Sequence, residues 1–248
     1  MNLLEKLARE YVNLKVNGVP IKLPYYNVSD STDNQEKIIG KFAGKGTADQ
    51  LYHEIDQLFQ QNSAISKLDQ NQLRLKLKEL GIGVDCSGYV YNILNEYVQA
   101  TTGMQLDYQI RRFDGIFGYI DLLMNTNNRV NKISAKVLTS KFNIDQINSV
   151  KTMKVGDMIR LTHQGYPGKH VALILSVDQQ QIIYTHSSDS LNIAKEEGPH
   201  ISRILVKNPL QGLAMQEWEE ETRAGQNYGK VCFLPENDDY VCRLKCFK

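Results

Sequence analysis

The chain has 248 residues, with 29 Lys and Arg against 28 Asp and Glu and a formal net charge of +1. Such near-neutrality lacks the basic surplus that nucleic acid or an anionic membrane surface demands, and 42% hydrophobic with 23% charged residues is a globular composition. No apolar run approaches the roughly 18 residues of a membrane helix, and the opening MNLLEKLAREYVNLKVNG breaks its leucines with charges, unlike a secretory signal, so a cytoplasmic protein is expected.

In chain order, the first half reads as helical. Asn2 with Glu5 has the spacing of a capping box, ahead of an apolar face of Leu3, Leu4, Leu7, Ala8 and Tyr11. Residues 17–46 carry prolines, glycines and a polar cluster, and read as irregular. Thr47 with Gln50 caps a second helix showing Leu51, Ile55, Leu58 and Phe59. Asp69 with Gln72 caps a third, which Gly81 stops. A fourth is expected from Asp85 or Cys86 to about Gly103, with Tyr89, Val90, Ile93, Leu94 and Tyr97 inward. Ile116, Phe117, Ile120 and Leu123 suggest one more short helix before an Asn-rich loop.

From Val155 the texture changes to short β-branched runs: MIRLT, HVALILSVD, QIIYTH, ISRILV, VCFL and YVCRLKCF. The expected fold is α+β, with N-terminal helices packed on a mainly antiparallel sheet of five or six strands. Residues 1–248 read as a single domain with a helical insertion at about 45–81. The acidic run EWEEET, residues 217–222, reads as a solvated helix face with Trp218 packed inward.

The stretch GVDCSGYVYNIL, residues 83–94, carries the chemistry. It sets Cys86 in the first turn of a helix, where unpaired N–H groups and the positive dipole end favour thiolate. Ser87 and Gly88 leave room beside the sulfur, and the first-turn N–H groups suit an oxyanion. His170 opens an apolar strand and His186 closes the next. A hairpin turning at Asp178-Gln179 sets them opposite each other, one imidazole orienting the other. Nucleophile, base and orienting group are then all present. A zinc site of Cys86, His170 and His186 is the weaker reading, because ligand pairs at CxxC or HxxxH spacing are absent. His163 reads as a loop residue, and His53 and His200 as surface residues.

Three further cysteines, Cys232, Cys242 and Cys246, read as core thiols. Cys242 and Cys246 stand about 13 Å apart on a strand, too far to bridge. A turn at Asn237-Asp238 leaves one Cys232–Cys242 disulfide, or a metal site, as the alternative.

DCSGYV, GDMIRL, HVALIL and IIYTHSS follow the order found in NlpC-type cysteine peptidases, which the chain resembles over roughly residues 83–190. That resemblance implies a papain-like fold and amide-bond hydrolysis through a thiol acyl-enzyme, with a cell-wall (muropeptide-like) or other peptide-like substrate. It implies Cys86 as nucleophile, His170 as general base and acid, and His186 as the third member. It also implies Asp85 as a contact for a substrate amine, and a tyrosine near the oxyanion. For the last, Tyr25 or Tyr26 is the nearest analogue, without the two glycines usual after it. Ser87 is a further candidate substrate contact. No metal or organic cofactor is expected. An amidase or acyltransferase of the same fold, or a non-catalytic binding module, are the alternatives.

Overall fold

A computed structural model describes residues 1–27, 41–124, 129–162, 168–189 and 197–247. Helix α1 (Leu3–Val12) opens where the side-chain oxygen of Asn2 accepts the Glu5 N–H at 2.9 Å. The box is half-made, because the Glu5 carboxylate turns to Arg9 instead. A hairpin of β1 (Lys15–Val16) and β2 (Val19–Pro20) follows, turning at Asn17 and Gly18, both at positive φ. Complete capping boxes start α2 (Ala48–Gln61) at Thr47 and α3 (Gln70–Glu79) at Asp69. Asp85 caps α4 (Cys86–Thr102), which ends on Gly103 at φ +72°. Two shorter helices, α5 (Gly115–Met124) and α6 (Ala135–Leu138), complete this half. The apolar residues expected to bury α5 do not all do so: Ile116 and Phe117 are exposed.

The second half forms β3 (Ile144–Ile147), β4 (Met158–Thr162), β5 (Lys169–Val177), β6 (Gln181–Ser188), β7 (Gly198–Leu205), β8 (Glu217–Trp218) and β9 (Tyr240–Leu244). They make one seven-stranded antiparallel sheet in the order β3-β9-β4-β5-β6-β7-β8. The fold is therefore α+β, with more strands than the five or six expected. Two short strands, β3 and β8, account for part of the difference. The VCFL run is not a strand: Val231 and Cys232 end a short helix, α7 (Tyr228–Cys232), started by the Asn227 cap.

Strand β5 is buried on both faces, and its alternation divides the core. Val171, Leu173 and Leu175 face the helices, packing with Tyr89, Val90, Ile93 and Leu94 of α4. Ala172 and Ile174 face a second cluster with Ile182, Tyr184, Ile204, Trp218 and Tyr228. Leu51, Ile55, Leu73 and Leu77 belong to the same core as α4, so the 45–81 segment shares the core of the rest. All four cysteines are thiols, which removes the Cys232–Cys242 bridge. Cys232 and Cys242 are core residues as expected, whereas Cys246 is exposed.

The hairpin register differs from the expected one. Asp178 makes the turn, accepting the Gln180 and Gln181 N–H groups, but Leu173 pairs with Thr185 and the ladder shifts at a bulge between Ile174 and Ser176. That pairing sets His170 and His186 diagonally, not directly opposite. Diagonal neighbours remain within reach of large side chains. The residue directly opposite His186 is His200, on β7.

Candidate active site

Cys86 is the first residue of α4 and is buried at 7% exposure. Helix α4 packs on β5 and β6, and the backbone N–H groups of Val171 and Ser87 act on the sulfur to favour thiolate, which sets Cys86 near the start of β5, where His170 precedes Val171. Burial, followed by the neighbouring Asp85 carboxylate, pushes the thiol up to about 12, and Lys45 with these N–H groups offsets only part of that. This is opposite in sign to the thiolate expected from the helix terminus. Desolvation outweighs the dipole at a site this dry. At rest Cys86 carries its proton, and its use as a nucleophile depends on a base.

His170 Nε2 lies 2.7 Å from His186 Nδ1, with both residues buried. His186 Nε2 in turn lies 3.2 Å from both carboxylate oxygens of Glu220. Glu220 also faces His200 Nε2 at 2.9 Å and accepts from the Tyr184 hydroxyl. Burial pushes the Glu220 carboxyl upward, but the charges and hydrogen bonds of His186 and His200 outweigh it and hold the group well below the usual carboxylate range. An ionised Glu220 only accepts, so His186 Nε2 carries a proton and His186 Nδ1 accepts from His170 Nε2–H. The lone pair of His170 is then on Nδ1.

Glu220 and His200 are the members that sequence reasoning missed. Residues 217–222 are no solvated helix face. Glu217 and Trp218 form β8, and burial from Glu217 to Thr222 alternates out and in, with Trp218, Glu220 and Thr222 inward. Glu220 is 1% exposed, which three donors from neighbouring strands make tolerable. The signal that marks it is this period of two across EWEEET. His200 is likewise no surface residue: it sits within β7 with its side chain 12% exposed. His53 is exposed as expected, and His163 falls outside the described residues.

Asp85 and Ser87 do not present open polar groups. Asp85 Oδ1 accepts the Gly88 N–H at 2.6 Å as the helix cap, and its two oxygens take Lys45 Nζ at 2.9 and 2.8 Å. Lys45 Nζ also donates to Ser87 Oγ and to the Ile133 carbonyl at 3.2 Å. The strap carrying Lys45 is tied down by Asn92, whose side chain donates to the Lys45 and Gly46 carbonyls, and by the Asp85 N–H bonded to the Gly44 carbonyl. It fits because Gly88 has no side chain: a Cβ there would meet the Gly44 oxygen at 2.4 Å. The segment Pro24–Tyr26 also returns to the loop before Cys86. The Val84 N–H bonds the Pro24 carbonyl at 3.2 Å, and a Cβ on Gly83 would stand 2.6 Å from that oxygen. Tyr25 and Tyr26 are thus near in the fold, although two helices separate them from Cys86 in the chain. The Gly156-Asp157 pair is structural, with Gly156 at φ +90° and the Asp157 carboxylate bound to Arg243 at 2.7 Å.

Among the described residues, Cys86, His170 and His186 do not form a cluster of metal-ligand geometry; the group that does is His186, His200 and Glu220. No helix among them is long and apolar enough to cross a membrane. Compared with known proteins, the chain matches no family model, no curated protein and no solved structure.

Proposed function

We propose that the chain is a cysteine hydrolase that cleaves an amide bond of a peptide-like substrate through a thioester intermediate. The observation that carries this reading is the buried chain of His170 and His186 at 2.7 Å and Glu220 at 3.2 Å, built on strands that pack against the helix Cys86 opens. His170 Nδ1 takes the thiol proton as sulfur attacks the carbonyl carbon, and the imidazolium passes that proton to the leaving amine. Water then attacks the thioester, with His170 again as base. His186 and Glu220 stabilise the transient positive charge on His170 and fix its ring. Of the first-turn N–H groups of α4, that of Cys86 itself serves the oxyanion, since those of Gly88 and Tyr89 are held by Asp85.

A peptide or muropeptide-like substrate follows from the resemblance to NlpC-type peptidases, as does a papain-like arrangement of the fold. The Lys45 pairing bears on the substrate: Asp85 is already neutralised, so it does not select a free amine unless Lys45 moves. An amidase or acyltransferase uses the same first step and differs only in what attacks the thioester. The burial of Cys86 favours a second reading, a binding module in which the relay persists without turnover.

One experiment separates these readings. Cys86 alkylation by iodoacetamide, followed on the Cys86 peptide by mass spectrometry, is measured against pH in the intact protein and in His170→Ala. A plateau near neutral pH that disappears in His170→Ala supports the hydrolase. An alkaline profile identical in both defeats the proposed base. Release of an amine from peptides or muropeptides, absent in Cys86→Ala, identifies the substrate class, and its absence with every substrate leaves the binding module.

A further inference from the structure

Helix α5 turns its apolar side away from the core. Ile116, Phe117, Tyr119 and Ile120 fall within an arc of about 160° at 3.6 residues per turn. An apolar stripe of that width ordinarily faces the interior. Here these four, with Phe113 just before the helix, are between 42% and 73% exposed. The side turned inward carries Gly118 and Asp121 instead. Asp121 is tolerated there because the Arg112 guanidinium grips both its oxygens, Nε at 2.8 Å. Gly118 packs so closely that a Cβ on it would run into the Phe113 carbonyl.

The segment leading into the helix is tied as firmly. The Asn143 side chain accepts the Arg111 N–H at 3.0 Å and donates to the Arg111 carbonyl at 2.8 Å. The Arg111 guanidinium donates to the Phe142 carbonyl at 2.9 Å and lies 4.9 Å from the centre of the Tyr119 ring. Polar bonds therefore fix the orientation of α5, and its apolar side stays outward.

We propose that this side of α5 is the contact surface of a homodimer, in which two copies pack α5 against α5 about a two-fold axis. Aromatic side chains present about 150–250 Å² each, so the five residues leave roughly 500 Å² uncovered at these exposures. That is at the upper end of the patch a monomer leaves open. Two such faces together bury about 1,000 Å², the least that a specific association needs. A two-fold axis sets each residue against its own kind or a near neighbour, an arrangement that apolar residues satisfy and like charges do not. The charges agree with this occupant. Asp114 is the one ionisable acid or base of residues 113–120 apart from the Tyr119 phenol, and Arg111 and Arg112 are engaged within the chain. A helix that lies on lipid carries Lys and Arg along its polar side, whereas α5 has neither. An uncharged surface fits an equally uncharged one, and a second copy of the chain supplies it. This inference is independent of the chemistry at Cys86.

An interface of this size is a weak one, so a dissociation constant of about 1–100 µM is expected. Sedimentation velocity of the full chain, run from about 1 to about 300 µM, spans that range. Wild type should pass from monomer to dimer. Phe117→Glu and Ile116→Glu, which would bury an unpaired charge on each copy, should weaken association by about tenfold or more. Leu210→Glu, at a residue 70% exposed outside α5, should leave it unchanged. Circular dichroism compares the folds of the three variants. Hydrogen exchange read by mass spectrometry should slow with concentration in peptides covering 113–124, and only in wild type and Leu210→Glu. A wild type that stays monomeric throughout overturns the proposal. So does a dimer that persists in both α5 variants, or one whose protection falls on other peptides. Flotation with phosphatidylcholine vesicles, with and without phosphatidylserine, is run beside it. A monomeric chain that floats, and ceases to in Phe117→Glu, would give the face to lipid and refute the dimer.

Discussion

Replacing Lys45 with Met tests whether the buried charge beside Cys86 is organised as described. Lys45 Nζ holds both oxygens of Asp85, at 2.9 and 2.8 Å, with both side chains under a tenth exposed. Met keeps the volume but leaves Asp85 a buried, uncompensated anion. Removing one partner of such a pair costs about 3–5 kcal/mol. At about 2–4 °C per kcal/mol for a chain of this size, the melting temperature should fall by about 6–20 °C. The same anion lies beside Cys86 and pushes its thiol up further, so alkylation at pH 8 should slow as well. The double variant Lys45→Met/Asp85→Asn removes the stranded charge, while the Asn oxygen still caps the Gly88 N–H. It should recover at least half of the lost melting temperature and the alkylation rate. Differential scanning calorimetry and peptide-resolved alkylation read both quantities. A double variant no more stable than Lys45→Met would show that Lys45 does not act by neutralising Asp85, and would refute this reasoning.

Glu220→Gln replaces an acceptor of three donors with an amide that must turn an N–H toward one of them. A destabilisation of about 1–3 kcal/mol by denaturant melts is expected, with slowed Cys86 alkylation at neutral pH. Because the folded-state carboxyl of Glu220 is held low, its stabilisation is fully present above the ordinary carboxylate range and is lost as pH falls through and below it. The stability gap between wild type and Glu220→Gln should therefore narrow in acid unfolding below about pH 4. For Cys86 the sign is reversed. Its folded thiol is raised to about 12, so its contribution is complete below the unfolded value of about 8.5 and is lost as pH climbs toward 12. Wild type should lose stability relative to Cys86→Ala between those limits, as read by urea melts at fixed pH. Gly88→Ala places a Cβ 2.4 Å from the Gly44 oxygen and 2.8 Å from Lys45 Cδ. It should displace the strap and lower the melting temperature by several degrees, and an unchanged melt would contradict the packing described.

The helices and strands that position the site were legible because local signals agreed with the tertiary outcome. Asp69 with Gln72 and Thr47 with Gln50 form the boxes their spacing announces, and Asp85 caps α4 one residue before Cys86. What escaped depended on contacts between distant segments. The offset of His170 from His186 arises at the bulge near Ser176, where β-branched and small residues give no warning of a shift. Lys45 sits in a glycine-rich stretch whose only visible property is irregularity, and its role appears once Gly88 lets the strap approach. Glu220 was hidden by its own charge. An acidic run reads as solvated until the donors that meet it, on β6 and β7, are placed beside it.

The sheet order β3-β9-β4 also bears on how the protein reaches its native state. Residues 241–244 pair on one side with 144–147 and residues 240–242 on the other with 158–160, so this late strand is an interior one. Until it inserts, two strand edges stay open, each able to template pairing with another molecule. Closing these long loops places the step late and makes it slow. Refolding at high protein concentration should therefore lose material to association before strand insertion, and a peptide spanning 239–247 added in excess should compete for the same gap.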